Sequence, residues 1–281
     1  MSDATVNHAP TPDGRAPVLL VHGLWLHADS WGPWVERLTA AGRVVVAPRW
    51  PDEAATVAQA RAEPARGGGH GIDSVVDHLA AVAASLGSRP VVVGHSFGGL
   101  VAQRMLAEGH ARAAVAIDAA PVRGVVALPL SALRVASVAL RRPAHWSGTV
   151  ALTRAEFRYG FGNALPPAES DELFERWAIP SPGRPLFEDA ATNLLPRSPA
   201  RVDFDAQRGP LLLVAGLRDR TVPPSITRTT ARLHRRASSA PTDLLEVDRG
   251  HSLTIDHGWG EVADAVLAWI EERVDTPALS L

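Results

Sequence analysis

Residues 91–99 read Val-Val-Val-Gly-His-Ser-Phe-Gly-Gly, and no other stretch limits the fold as much. A β-branched run without alternation is the pattern of a strand buried on both faces of a parallel sheet. It gives way within a few residues to a helical pattern at 100–108, which stops at Gly109. A serine caught between the two sits in a tight, strained turn. Glycine is the residue type that fits two positions to either side, here Gly94 and Gly98. The turn lifts the Ser96 hydroxyl above the carboxyl edge of the sheet. The amides at the start of the next helix point at the same spot and favour developing negative charge. Ser96 is therefore the candidate nucleophile.

Further short apolar runs lie at Val18–Val21, 44–47 and 211–215, with weaker ones at Ala113–Ile117 and 244–247. Helical patterns separate them: 31–41 after a capping Ser30, 73–86 ending at Gly87, 225–236 after Pro223 and Pro224, and 261–273. The alternation predicts an α/β fold with a doubly wound, mostly parallel sheet and right-handed crossovers. From 121 to 205 no buried strand is legible. That stretch is rich in proline and carries helical patterns at 131–141, 154–159 and 168–177, which predicts a helical cap inserted between two core strands. The expected division is an N-terminal extension (1–17), a first core part (18–120), the cap (121–205) and a second core part (206–281). The run Arg-Gly-Gly-Gly-His-Gly at 66–71 reads as a flexible loop.

Composition removes several chemistries. All 28 basic residues are Arg, which excludes Schiff-base lysines and the Walker A lysine, and there is no Cys, which excludes thiol nucleophiles and zinc–thiolate sites. A net charge of −2 leaves no basic footprint for nucleic acid. The polar N-terminus has neither the basic nor the apolar region of a secretory signal. The apolar stretch 125–140 is too short and too interrupted to span a bilayer. A soluble, cytoplasmic protein is expected, with no membrane or nucleic-acid partner. No His-x-x-His or Glu-x-x-His cluster is present at ligand spacing, so no metal is expected.

The G-x-S-x-G turn between strand and helix, with His22-Gly23 after an earlier strand, resembles the α/β-hydrolase superfamily of esterases, cofactor-free haloperoxidases and C–C hydrolases. The likeness runs from about 18 to 273 apart from the cap. It implies an oxyanion hole from the backbone amides of Leu24 and Phe97, with His22 bracing its loop. Gly216-Leu217-Arg218-Asp219-Arg220-Thr221-Val222-Pro223 resembles the family's acid loop and implies Asp219 as the triad acid. Asp118, after the run Ala113–Ile117, is a rival, since some members carry the acid there. His251, between the last strand and the final helix, matches the family's base, with Asp256 and His257 as supports. The other histidines, among them His8, His27, His70, His110, His145 and His234, read as surface or packing residues.

The stretch Pro48-Arg49-Trp50-Pro51-Asp52-Glu53 departs from the Asp-x-Arg-Gly-x-Gly-x-Ser of many relatives, and the short N-terminus implies that the usual two opening strands are short or missing. The resemblance implies hydrolysis of a carboxylic ester or similar apolar acyl compound through an acyl-enzyme on Ser96, without a cofactor. The same residues also serve perhydrolysis, C–C bond hydrolysis or a lyase reaction. A non-catalytic small-ligand-binding protein on this fold is a further alternative. The cap aromatics Trp146, Phe157, Tyr159, Phe161, Phe174 and Trp177 are either a pocket wall or the cap's own core.

Overall fold

The computed structural model describes residues 14–126, 129–195 and 197–275. The expected N-terminal extension therefore lies outside the described residues up to position 13. Six parallel strands form the main sheet: β1 (Val18–Val21), β2 (Val45–Val46), β3 (Val91–His95), β4 (Ala113–Ile117), and, beyond two short strands introduced below, β7 (Leu211–Gly216) and β8 (Thr242–Val247). Their spatial order is β2-β1-β3-β4-β7-β8. All five pairings are parallel, as the crossover helices require.

Period-two geometry sends alternate strand residues to opposite faces, and both faces are covered. Leu19, Val21, Val92, Ala114, Ala116, Leu211 and Leu213 pack under α3 (Ile72–Ala84), α4 (Phe97–Ala107) and α9 (Pro224–Ala237). Val18, Leu20, Val91, Val93, Val115, Ile117, Leu212 and Val214 pack under α1 (Gly32–Ala40) and α10 (Trp259–Ile270). This double burial is why the central strands read as apolar runs rather than alternating ones. The edge strands differ. β8 carries Asp243 and Glu246 and is only partly buried, and β2 is two residues where the sequence suggested 44–47. Short or charged edges discourage pairing with other chains.

Between β4 and β7 come α5 (Leu130–Leu140), β5 (Thr149–Val150), α6 (Arg154–Gly160), α7 (Pro167–Trp177), β6 (Ser181–Pro182) and α8 (Arg184–Ala190). The β5–β6 pair is antiparallel. It falls in a stretch where sequence showed no strand, because two residues carry no periodicity. The helix α8 and the six-residue α2 (Val57–Ala62) were missed for the same reason. Thr153 caps α6 through a reciprocal box with Glu156. The glycine run at 66–71, expected to be a flexible loop, is docked on these helices. Arg184 donates to Gly69 O, the Glu188 carboxylate accepts from Ile72 N at 2.8 Å, and a side chain at Gly71 would collide with Glu188.

The inserted segment is fastened over the carboxyl edge of the sheet. Trp25, in the loop after β1, donates its main-chain amide to Ser181 Oγ at 2.6 Å and its indole N–H to Val150 O at 3.1 Å. Its carbonyl accepts from Ile179 N at 3.0 Å. At the other side of the sheet, Thr221 donates to Gly160 O and Asn163 donates to Arg218 O.

Candidate active site

Ser96 lies between β3 and α4 with φ 56° and ψ −121°, a backbone conformation that side-chain-bearing residues rarely adopt. The turn closes because its neighbours lack side chains. A Cβ at Gly94 would sit 2.0 Å from Gly98 O, and one at Gly98 would sit 2.2 Å from Val21 O. The loop after β1 meets the turn directly, since a Cβ at Gly23 would lie 2.7 Å from Ser96 Cβ. Leu24 follows Gly23 there, and Phe97 N–H is the first amide of α4, which has no acceptor within its own helix.

The loops after β7 and β8 supply the acid and the imidazole. His251 Nδ1–H donates to Asp219 Oδ2 at 2.6 Å, and both side chains are fully buried. Asp219 Oδ1 accepts from Thr221 N at 2.7 Å and Val222 N at 2.9 Å, which fixes the carboxylate plane. His251 Nε2 is buried with no hydrogen-bond partner, so the nitrogen able to take a proton is unengaged. Phe161, just past α6, sets its ring edge against this imidazole at 4.7 Å between centroids and stacks on Phe157 at 4.9 Å.

The structure thus sets the loop carrying Leu24 against the Ser96–Phe97 turn and joins Asp219 to His251, whose ring lies 4.6 Å from that of His95, the residue before the serine. Asp118 does not stand apart as an alternative. Its carboxyl oxygen, an Asp219 oxygen and a His251 nitrogen lie within 4.8 Å of one another. Such a cluster has the residue types of a cation site. The 2.6 Å contact between His251 and Asp219, however, is a direct hydrogen bond with no room for an ion between its atoms. Burial, reinforced by the charge and hydrogen bond of Asp219, pushes the Asp118 carboxyl well above the usual carboxylate range.

Two supporting groups were not legible from sequence. His95, the residue before the serine, donates from Nε2 to His251 O at 2.9 Å, with its ring 4.6 Å from that of His251. Burial and the neighbouring His251 hold His95 well below the ordinary histidine range, hence neutral. Glu53, in the stretch that departs from relatives, lies 3.0 Å from His22 Nε2, while His22 Nδ1 bonds Gly23 O at 2.9 Å. Burial opposes charge on His22, but the Glu53 carboxylate outweighs it and raises the His22 pKa. Trp50 stacks on the same ring and donates to His22 O. Asp256 accepts from Ser252 and pairs with Arg249, and His257 contacts Glu169 of α7.

The family model described as the alpha/beta hydrolase family matches residues 18–265. The chain belongs to this family. Solved α/β-hydrolase structures share its fold over nearly their whole length. An extracellular alpha/beta-hydrolase from a Paenibacillus species is 19% identical, with a TM-score of 0.67 over 90% of this chain and 98% of its own. A monoacylglycerol lipase from Paleococcus ferrophilus is 22% identical, with a TM-score of 0.66 over 92% and 96%. A thermophilic esterase from Thermogutta terrifontis is 19% identical, with a TM-score of 0.62 over 92% and 90%. No curated protein sequence matches the chain at a significant level. Among the described residues no helix is long and apolar enough to cross a membrane.

Proposed function

We propose that this α/β-hydrolase cleaves a carboxylic ester or similar apolar acyl compound through an acyl-enzyme on Ser96. The observation that carries the reading is the buried His251–Asp219 hydrogen bond at 2.6 Å, in a site whose serine occupies the strained turn between β3 and α4. With Nδ1–H committed to Asp219, the free Nε2 of His251 is the acceptor for the Ser96 proton. Ser96 Oγ attacks the acyl carbon. The amides of Leu24 and Phe97 hold the oxygen that gains charge, each worth roughly 10²–10³ in rate. His251 then gives the proton to the leaving alcohol, and water deacylates the serine by the same route in reverse. These steps need no cofactor.

The test is labelling with a fluorophosphonate probe followed by turnover of short p-nitrophenyl esters. Wild type is expected to label at Ser96 and turn over. Ser96→Ala is expected to do neither while keeping its melting temperature. Full activity in Ser96→Ala would remove the serine from the mechanism, and an unlabelled, inactive wild type would favour a binding role.

A further inference from the structure

Asp118 follows β4 directly, with φ 41°, a left-handed conformation that a non-glycine residue adopts at an energetic cost. Its amide donates to Val214 O at 2.9 Å, so the residue is pinned between β4 and β7. Its side chain is fully buried. Oδ1 accepts from Gly216 N at 2.6 Å, while Oδ2 has no conventional donor among the described residues. What faces it is the Asp219 carboxylate, whose own oxygens already accept from Thr221, Val222 and His251. Two buried carboxylates with oxygens within 4.8 Å of each other are repulsive if both are ionised, and among the described residues no arginine pairs with either. One proton removes the conflict and turns the repulsion into a hydrogen bond.

We propose that Asp118 and Asp219 form a one-proton pair, in which Asp118 Oδ2–H donates to the Asp219 carboxylate and holds it, singly charged, against His251. This rests on the reading of Asp219 as the triad acid and adds a positioning residue behind it. The titratable groups facing the pair are His251, from the loop after β8, and, beyond it, His95 of β3, whose ring lies 4.6 Å from that of His251 at a tilt of 45° and which is neutral. The net charge behind the imidazole is then one, not two. The Asp219 oxygens are tied by main-chain amides on one side, His251 on another and a carboxylic acid on the third. That leaves the Asp219 plane, and with it the imidazole, no freedom to swing.

Two measurements test this. The first is the infrared difference spectrum at neutral pH between wild type and Asp118→Asn. A carbonyl stretch of a protonated carboxylic acid is expected in wild type and absent in the variant. Its absence from wild type would show both groups ionised and overturn the pair. The second is kinetic. Asp118→Leu offers neither donor nor acceptor, orphans Gly216 N–H, and is expected to lower kcat about 100-fold. Asp118→Asn keeps an acceptor for Gly216 and a donor for Asp219, and is expected to recover most of that loss, to within about fivefold of wild type. If Asp118→Asn instead falls as far as Asp219→Asn, Asp118 is an ionised acid and the pair is refuted. The parent reading fails separately, if Ser96→Ala or Asp219→Asn retains wild-type turnover.

Discussion

Ser96 adopts a backbone conformation that costs on the order of 1–3 kcal/mol in isolation, and the fold sustains it by close approach at Gly94 and Gly98. Relief of that strain is measurable. Ser96→Gly is expected to abolish turnover and raise the melting temperature by about 2 °C, since glycine tolerates positive φ. An unchanged or lower melting temperature would mean the turn is not strained. Gly98→Ala is expected to lower stability, because its methyl would meet Val21 O at 2.2 Å and push α4 from β1; a loss of soluble protein or a clearly lower denaturation midpoint checks it. Asp219→Asn is expected to lower kcat by up to ~10⁴, since an amide facing His251 Nδ1 favours the wrong tautomer. Steady-state kinetics with a matched melting curve separates this from misfolding. Ser96, Asp219 and His251 were legible as candidates because each follows a strand within a few residues. Glu53 beside His22, and the contact of Asp118 with Asp219, were not. These pairs are made by strand order and loop packing, which leave no local pattern.

Among the secondary-structure elements, the central strands and longer helices were readable because double burial and 3.6-residue spacing repeat over enough positions. Boundaries shifted where caps decide them, as at α4, which begins at Phe97 rather than 100. The helices α2 and α8 and the β5–β6 pair escaped because none is long enough to show a period. The segment that ends α6 has the most direct bearing on chemistry. Phe161 is almost fully buried and contacts His251, His95, Trp25 and Phe157. Phe161→Leu is expected to alter preference along a series of acetate to octanoate esters by roughly 10–200-fold in kcat/KM. Trp177, half-buried with the Arg176 guanidinium 4.6 Å from its ring centroid, is expected to act on stability with the preference profile unchanged. If Phe161→Leu merely lowers the melting temperature and depresses all esters alike, its ring is core packing alone.

For the whole molecule, buried histidines and buried carboxyls pull the response to acid in opposite directions. His234 of α9 donates to Gln103 Oε1 at 3.0 Å and is pushed down to about 3, chiefly by burial and then by Arg208. Between its unfolded value of about 6.5 and that folded value, the unfolded chain binds a proton that the folded chain refuses. The His234 contribution to stability should therefore fall as pH drops through this window, by up to about 1.4 kcal/mol per pH unit, while Asp189, pushed up to about 8 by burial, contributes in the opposite sense as it takes up a proton in the folded state first. His22, shifted the other way, loses its contribution only as pH rises through its folded pKa, so it does not offset this fall. His234→Gln keeps the donor and is expected to raise the urea midpoint at pH 4.5 relative to that at pH 6.5, compared with wild type; an unchanged slope would mean that His234 carries no part of the acid response. The binding of Trp25 to β5, β6 and Ile179 has a consequence of another kind. The loop that sets Gly23 against Ser96 is sutured to the segment whose Phe161 meets His251, so uncovering the imidazole tugs on the loop that carries Leu24. A reagent can then reach the serine no faster than that segment parts. The phosphonylation rate should climb with probe concentration and level at a ceiling that is the same for every probe, and Ser181→Ala, by cutting the 2.6 Å suture, should lift that ceiling.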